Sequence, residues 1–72
     1  MAKYNGHKNW NHWNVSLWIN NDEGLYRLAL RCIRTTDNRM EAARTMLQSL
    51  PDKTPDGASY SVSSVRAAMV GM

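Results

Sequence analysis

The stretch NWNHWNVSLWIN, residues 9–20, decides how this chain folds. It supports two readings. Trp13, Val15, Leu17 and Ile19 alternate with Asn14, Ser16 and Asn20 as a half-buried strand would, while Trp10, Trp13, Leu17 and Trp18 recur at helical spacing. The helical reading is favoured, from Trp10 to Asn20 with Asn9 as its cap, and a short strand near 13–19 is the alternative. Asn11, His12 and Ser16 are few polar residues for one helical wheel, so this helix is expected to be covered on most sides.

The segments that follow favour helices as partners. DEGLYRLALRCIRT, residues 22–35, opens on Asp22 as a cap and sets Leu25, Leu28, Ala29, Cys32 and Ile33 on one face, flanked by Tyr26 and Leu30. Gly24 in its first turn costs up to about 1 kcal/mol against alanine, which points to a close backbone approach there or a functional reason. After Thr35-Thr36, Asp37 is expected to cap a third helix, NRMEAARTMLQSL, with Met40, Ala43, Met46, Leu47 and Leu50 inward and Pro51 as its stop. PDKTPDGAS, residues 51–59, reads as a loop with an Asp-Gly turn. A last helix starts at Ser59 or Ser61, turns Val62, Val65, Ala68 and Met69 inward and ends at Gly71. The expectation is an all-α, compact bundle of about four short helices over residues 9–72, after a flexible lead-in over 1–8 that carries an Asn5-Gly6 turn and Tyr4.

Composition narrows the function classes. A chain of 72 residues buries only about 60% of its unfolded surface, so its core must be efficient or be helped by a partner, and a homodimer is one such arrangement. The 43% hydrophobic content without low-complexity runs fits a folded domain. No window approaches the roughly 20 apolar residues that cross a bilayer, and MAKYNGHKNW has no apolar signal core, so a soluble protein of the cytoplasm with no membrane contact is expected. Cys32 is the one cysteine, which excludes an internal disulfide and a thiolate zinc cluster. The net charge of +3 is a modest excess. Four of the six acids, Asp22, Glu23, Asp37 and Glu41, fall where helices are expected to begin, and look spent on capping.

Residues 4–26, YNGHKNWNHWNVSLWINNDEGLY, resemble the opening of a family of short, largely uncharacterised proteins encoded by bacteriophages and other mobile elements. The resemblance is carried by Asn9, Trp10, Trp13, Asn14, Val15, Leu17, Trp18, Ile19, Asn21, Asp22, Gly24, Leu25 and Tyr26. It covers about a third of the chain, and Asn11-His12 departs from the Glu-Thr pair that relatives often carry. It implies a phage or mobile-element origin and a helical domain, with no established activity.

Binding chemistry is better represented than catalytic chemistry. The tryptophans are expected chiefly in the core, since aromatic side chains bury about 150–250 Å² each, with Trp18 or Trp10 left at the surface as an interface anchor. Asn14, between Trp10 and Trp18 on the wheel, needs a hydrogen-bond partner if it is buried, and a structural bond, to a helix end for example, is the favoured explanation. Arg27, Arg31 and Arg34 fall within roughly 60° of one another on the second helix, either as its solvated face or as guanidinium forks for an acidic protein patch or nucleic-acid phosphates. No acid along that helix is expected to neutralise them. A helix-turn-helix reading would present Asn38, Glu41, Arg44, Thr45 and Gln48 to a groove, against the negative charge of Asp37 and Glu41.

His7 and His12 have no acid to orient them and no nucleophile nearby in sequence, while Ser59, Ser61, Ser63 and Ser64 are explained by capping. No metal-ligand spacing, phosphate loop or paired carboxylates occur, so no catalysis, metal or cofactor is expected. Cys32 should be an inert core thiol, and the methionines core fillers. The favoured function is a small phage-encoded binding protein that modulates or inhibits a host protein by occluding a surface, such as an anti-CRISPR or a host-takeover factor. Its docking residues would be Arg27, Arg31, Arg34, Trp10 and Trp18. The alternatives are a nucleic-acid-binding regulator using Arg27, Arg31, Arg34 and Arg44 on phosphates, and a self-associating assembly protein.

Overall fold

The computed structural model describes residues 7–72. Of the expected lead-in, the Asn5-Gly6 turn and Tyr4 lie outside the described residues. Four helices follow: α1 Trp10–Asn21, α2 Glu23–Thr35, α3 Arg39–Leu47 and α4 Val62–Ala68. The strand alternative over 13–19 is not adopted. Among the described residues the one strand-like pairing is an isolated antiparallel bridge between Lys53 and Ser59.

Local chemistry accounts for where each helix starts. Asn9 is extended at φ −160° and its side chain accepts from His12 N at 3.0 Å, taking up one of the amides a helix start leaves unpaired. Asp22 closes α1 through its own N–H to Trp18 O and opens α2 by accepting from Leu25 N, so a single residue separates the two helices. What Gly24 meets is a side chain and not the close backbone approach expected. A Cβ there would lie 3.3 Å from the capping Asp22 carboxylate. α3 is capped by Asn38, which accepts from Glu41 N at 2.9 Å, and not by the expected Asp37. The Thr36 hydroxyl bonds back to Cys32 O at 2.6 Å, which keeps Thr36 on the end of α2 and moves the next start one residue along. Ser61 and Ser64 form a reciprocal capping box on α4. α4 gives way at Ala68 to a turn that reaches Gly71 at φ +90°, three residues before the expected end.

The helices contact one another in a closed ring, α1 to α2, α2 to α3, α3 to α4 and α4 back to α1. The Cα radius of gyration, 11.2 Å, is that of a compact chain of this length. The buried cluster joins Val15 and Ile19 of α1, Ala29 and Cys32 of α2, Ala42, Ala43 and Met46 of α3, Ala58, and Val65, Ala68 and Met69 from the α4 segment. Full burial of Ile19, Met46 or Met69 contributes roughly 1.5–3 kcal/mol each. Ala29, Ala42, Ala43 and Ala68 put short side chains at the buried helix positions, and Ala58 adds another from the loop before α4, so the deepest places are taken by small residues.

The tryptophans are therefore not the core. Trp10 is 39% exposed and Trp13 and Trp18 are half-buried. Met40, expected inward, is 40% exposed, while Leu47 and Leu50 pack only on the edge of the cluster. In α3 the deep positions go to Ala42 and Ala43, where short side chains permit close contact with α4.

Candidate functional site

The loop between α3 and α4 folds back on α1. Thr54 N donates to Ala58 O and Gly57 N to Thr54 O, closing a tight turn in which Gly57 takes φ +92°, a conformation that favours glycine. Three side-chain bonds hold the turn against α1. Asn14, 2% exposed, donates from Nδ2 to Asp56 Oδ2 at 2.9 Å and accepts from the Thr54 hydroxyl at 2.6 Å. Trp18 Nε1 donates to the same Asp56 oxygen at 2.9 Å. The two donors hold the Asp56 carboxyl below the usual range, the Asn14 bond first and the Trp18 bond second. Asn14 thus has the structural bond expected of it, to a loop carboxylate and hydroxyl and not to a helix end. The indole N–H of Trp18 is spent on the same latch, which leaves the edge of its ring at the surface.

The α2 arginines line up on the exposed face as the spacing predicts. One expectation is overturned: Glu23, four residues before Arg27, pairs with its guanidinium along the helix. Both groups are about three-quarters exposed, so the pair contributes at most a few tenths of a kcal/mol. Arg31 and Arg34 have no carboxylate partner among the described residues. Arg27, Arg31 and Arg34 surround a shallow depression of about 500 Å³ completed by Leu30, Ile33 and Met72. Arg39 Nη2 donates to Met72 O at 2.7 Å and ties that residue to α3. Sequence reasoning had Ile33 on the buried face and assigned no role to Met72. No spacing signal links positions 39 residues apart such as Ile33 and Met72.

The third helix is less suited to reading bases than its sequence suggests. Asn38 is occupied as a cap and Arg44 Nη1 lies 3.5 Å from Glu41 Oε1, so three of the proposed readers are engaged locally. Cys32 is 4% exposed and burial pushes its thiol up, with Arg31 pulling weakly the other way, as suits an unreactive core group.

His12 does have a hydroxyl beside it, contrary to the sequence reading. Its Nε2 lies 3.1 Å from Ser63 Oγ across 51 residues of chain, a separation that gives no local signal. Burial, then Lys8 and then His7, pushes the imidazole below its usual value by disfavouring its charged form. Among the described residues no group of three or more His, Cys, Asp or Glu side chains is gathered as a metal site. No helix of the described residues is long and apolar enough to cross a membrane.

With this geometry in view, comparison with known proteins places the molecule. The chain belongs to a family of unknown function, DUF7249, whose match runs over residues 1–72. No curated protein and no solved structure matches it. The family thus covers the four helices, the latch loop and the arginine face together.

Proposed function

We propose that this is a small phage-encoded binding protein that acts without catalysis, docking on a host protein through the α2 face and occluding the surface it covers. An anti-defence inhibitor such as an anti-CRISPR, or a host-takeover factor, acts in this way. The observation that carries the reading is the depression in which Arg27, Arg31 and Arg34 ring Leu30, Ile33 and Met72. Guanidiniums around an apolar floor suit a protein segment that presents carboxylates on either side of an apolar side chain. A phosphate backbone would use the arginines and leave the apolar floor without a partner, which is why protein is favoured over nucleic acid here. Exposed Trp10 on α1 supplies a second anchor of the type enriched in binding hot spots.

The test is affinity capture with the tagged protein, with and without nuclease, beside Arg31→Glu/Arg34→Glu. The expected result is a host protein that survives nuclease and is lost with the charge-reversed variant. Capture that vanishes on nuclease treatment overturns the reading in favour of a nucleic-acid regulator, and recovery of the chain alone favours self-assembly.

A further inference from the structure

On the opposite chemistry from the arginine face, α1 carries two neighbouring rows at four-residue spacing. His12, Ser16 and Asn20 form one row, and Trp13, Leu17 and Asn21 form the next. The first row faces a depression of about 490 Å³ beside the end of α4, into which His7 and Lys8 also project. The second row borders a depression of about 240 Å³. The two adjoin, because His7, Ser16 and Asn20 line both. Together they fall within the size range of small-ligand sites, about 300–1,000 Å³.

The charge in this groove is one-sided. His7, Lys8 and His12 meet there, and no carboxylate lines either depression. α1 itself carries no Asp, Glu, Lys or Arg, so the charge of Lys8, and of the imidazoles when they are protonated, is not compensated along the helix. The like charges of Lys8 and His7 already disfavour protonation of His12, a cost that a bound anion would remove. Ser63 fixes the imidazole at the rim by its 3.1 Å contact with Nε2. Asn20 is set by donating to Ser16 O at 2.9 Å and to Ala68 O at 3.3 Å, so this wall of the groove is built before any ligand arrives. Next to the cations lies the half-buried indole of Trp13, continued by Leu17, which is 39% exposed.

We infer that this groove binds a nucleotide, its phosphate at His7, Lys8 and His12 and its base stacked on Trp13, either as a free mononucleotide or as one unit of a single strand. An anion alone would use the basic row and leave the aromatic row idle, whereas an apolar ligand would leave the cations uncompensated. A nucleotide satisfies both rows, and stacking on an aromatic face accepts any base. The site uses none of the α2 arginines and is independent of the host-protein reading.

Tryptophan fluorescence and calorimetric titrations of the whole chain with inorganic phosphate, ATP and oligothymidylate test the assignment. Saturable quenching is expected, with ATP bound at least about tenfold more tightly than inorganic phosphate, since stacking adds to the phosphate contacts. His7→Gln/Lys8→Gln/His12→Gln should weaken binding by at least about tenfold, given the share of such affinity carried by phosphate contacts. Trp13→Leu should erase the preference for ATP over phosphate, and Arg31→Gln/Arg34→Gln should change nothing. Saturation by ATP identifies a free nucleotide, and binding only to the oligonucleotide identifies a strand; both support the site. No saturable response to ATP or oligonucleotide at millimolar concentration overturns it, as does a response abolished by the arginine variant. If the triple variant loses its helical circular dichroism, Lys8→Gln, at an exposed position, carries the test through its salt dependence.

Discussion

The Asn14 side chain and the Thr54 hydroxyl meet at 2.6 Å across 40 residues of sequence, and both are buried. Thr54 in turn accepts from Ala58 N at 3.0 Å, so one hydroxyl joins α1 to both arms of the latch turn. Thr54→Val removes that hydroxyl and leaves a buried amide oxygen and a buried backbone N–H without partners. The loss expected is about 1–3 kcal/mol for each unsatisfied group, read as a lower urea midpoint at unchanged slope. A variant as stable as the parent would show that water substitutes freely there.

Asp56 accepts from both Asn14 and Trp18, and these bonds favour its ionised form in the folded state. Its folded value is therefore below the unfolded value of 3.8, and its contribution to stability is present above that pH and is lost as pH falls through the folded value. Asp56→Asn should flatten the acid limb of the stability profile below about pH 4 while leaving neutral-pH helicity intact. Thermal melts from pH 2 to 7 of the two proteins should differ most toward neutral pH and converge at the acid end, where Asp56 is protonated; a gap that stays constant with pH would remove Asp56 from this role.

His12 shifts in the same stabilising direction with pH for the opposite chemical reason. Burial and the neighbouring Lys8 and His7 disfavour its charged form, so its folded value lies below the unfolded 6.5. The unfolded chain then binds more protons as pH drops below 6.5, and stability declines with acidification through that window. A nuclear magnetic resonance titration should place the His12 midpoint below that of a model peptide, and His12→Gln should remove this part of the pH dependence.

Ser61 supplies half of the capping box on α4, a helix of only seven residues. Ser61→Ala should cost about 0.5–2 kcal/mol, with the higher end favoured because so short a helix has few internal bonds. Hydrogen exchange should rise first at the Ser64 and Val65 amides, which donate to Ser61 Oγ and Ser61 O.

Glu23 and Arg27 offer the contrasting case of an exposed ion pair. Glu23→Ala should change stability by no more than about 0.5 kcal/mol, and that small effect should vanish in high salt. Freeing Arg27 would also strengthen the positive field of the α2 face, so capture of an acidic partner should hold or improve. A weakened capture would argue that Glu23 itself touches the partner.

Short-range chemistry made much of this protein legible before folding was considered. The cap Asn9, the capping residue Asp22, the serine start of α4 and the arginine row on α2 all follow from interactions spanning three or four residues, whereas α3 ends at Leu47, short of the stop expected at Pro51. Asp37 against Asn38 was not legible, because either side chain can cap and the choice was made by Thr36 bonding back to α2.

What only the tertiary structure decided was which apolar groups go inside. Small residues take the deepest places of the four-helix ring, so Trp10, Trp13 and Trp18 were displaced outward and left for a latch and a groove. The pairs Asn14–Thr54, Trp18–Asp56, His12–Ser63 and Ile33–Met72 likewise arise from chain segments 38 to 51 residues apart. Periodicity along a helix carries no information about contacts at that distance. They are set by how closely the backbones pack, and that closeness is a property of the whole ring.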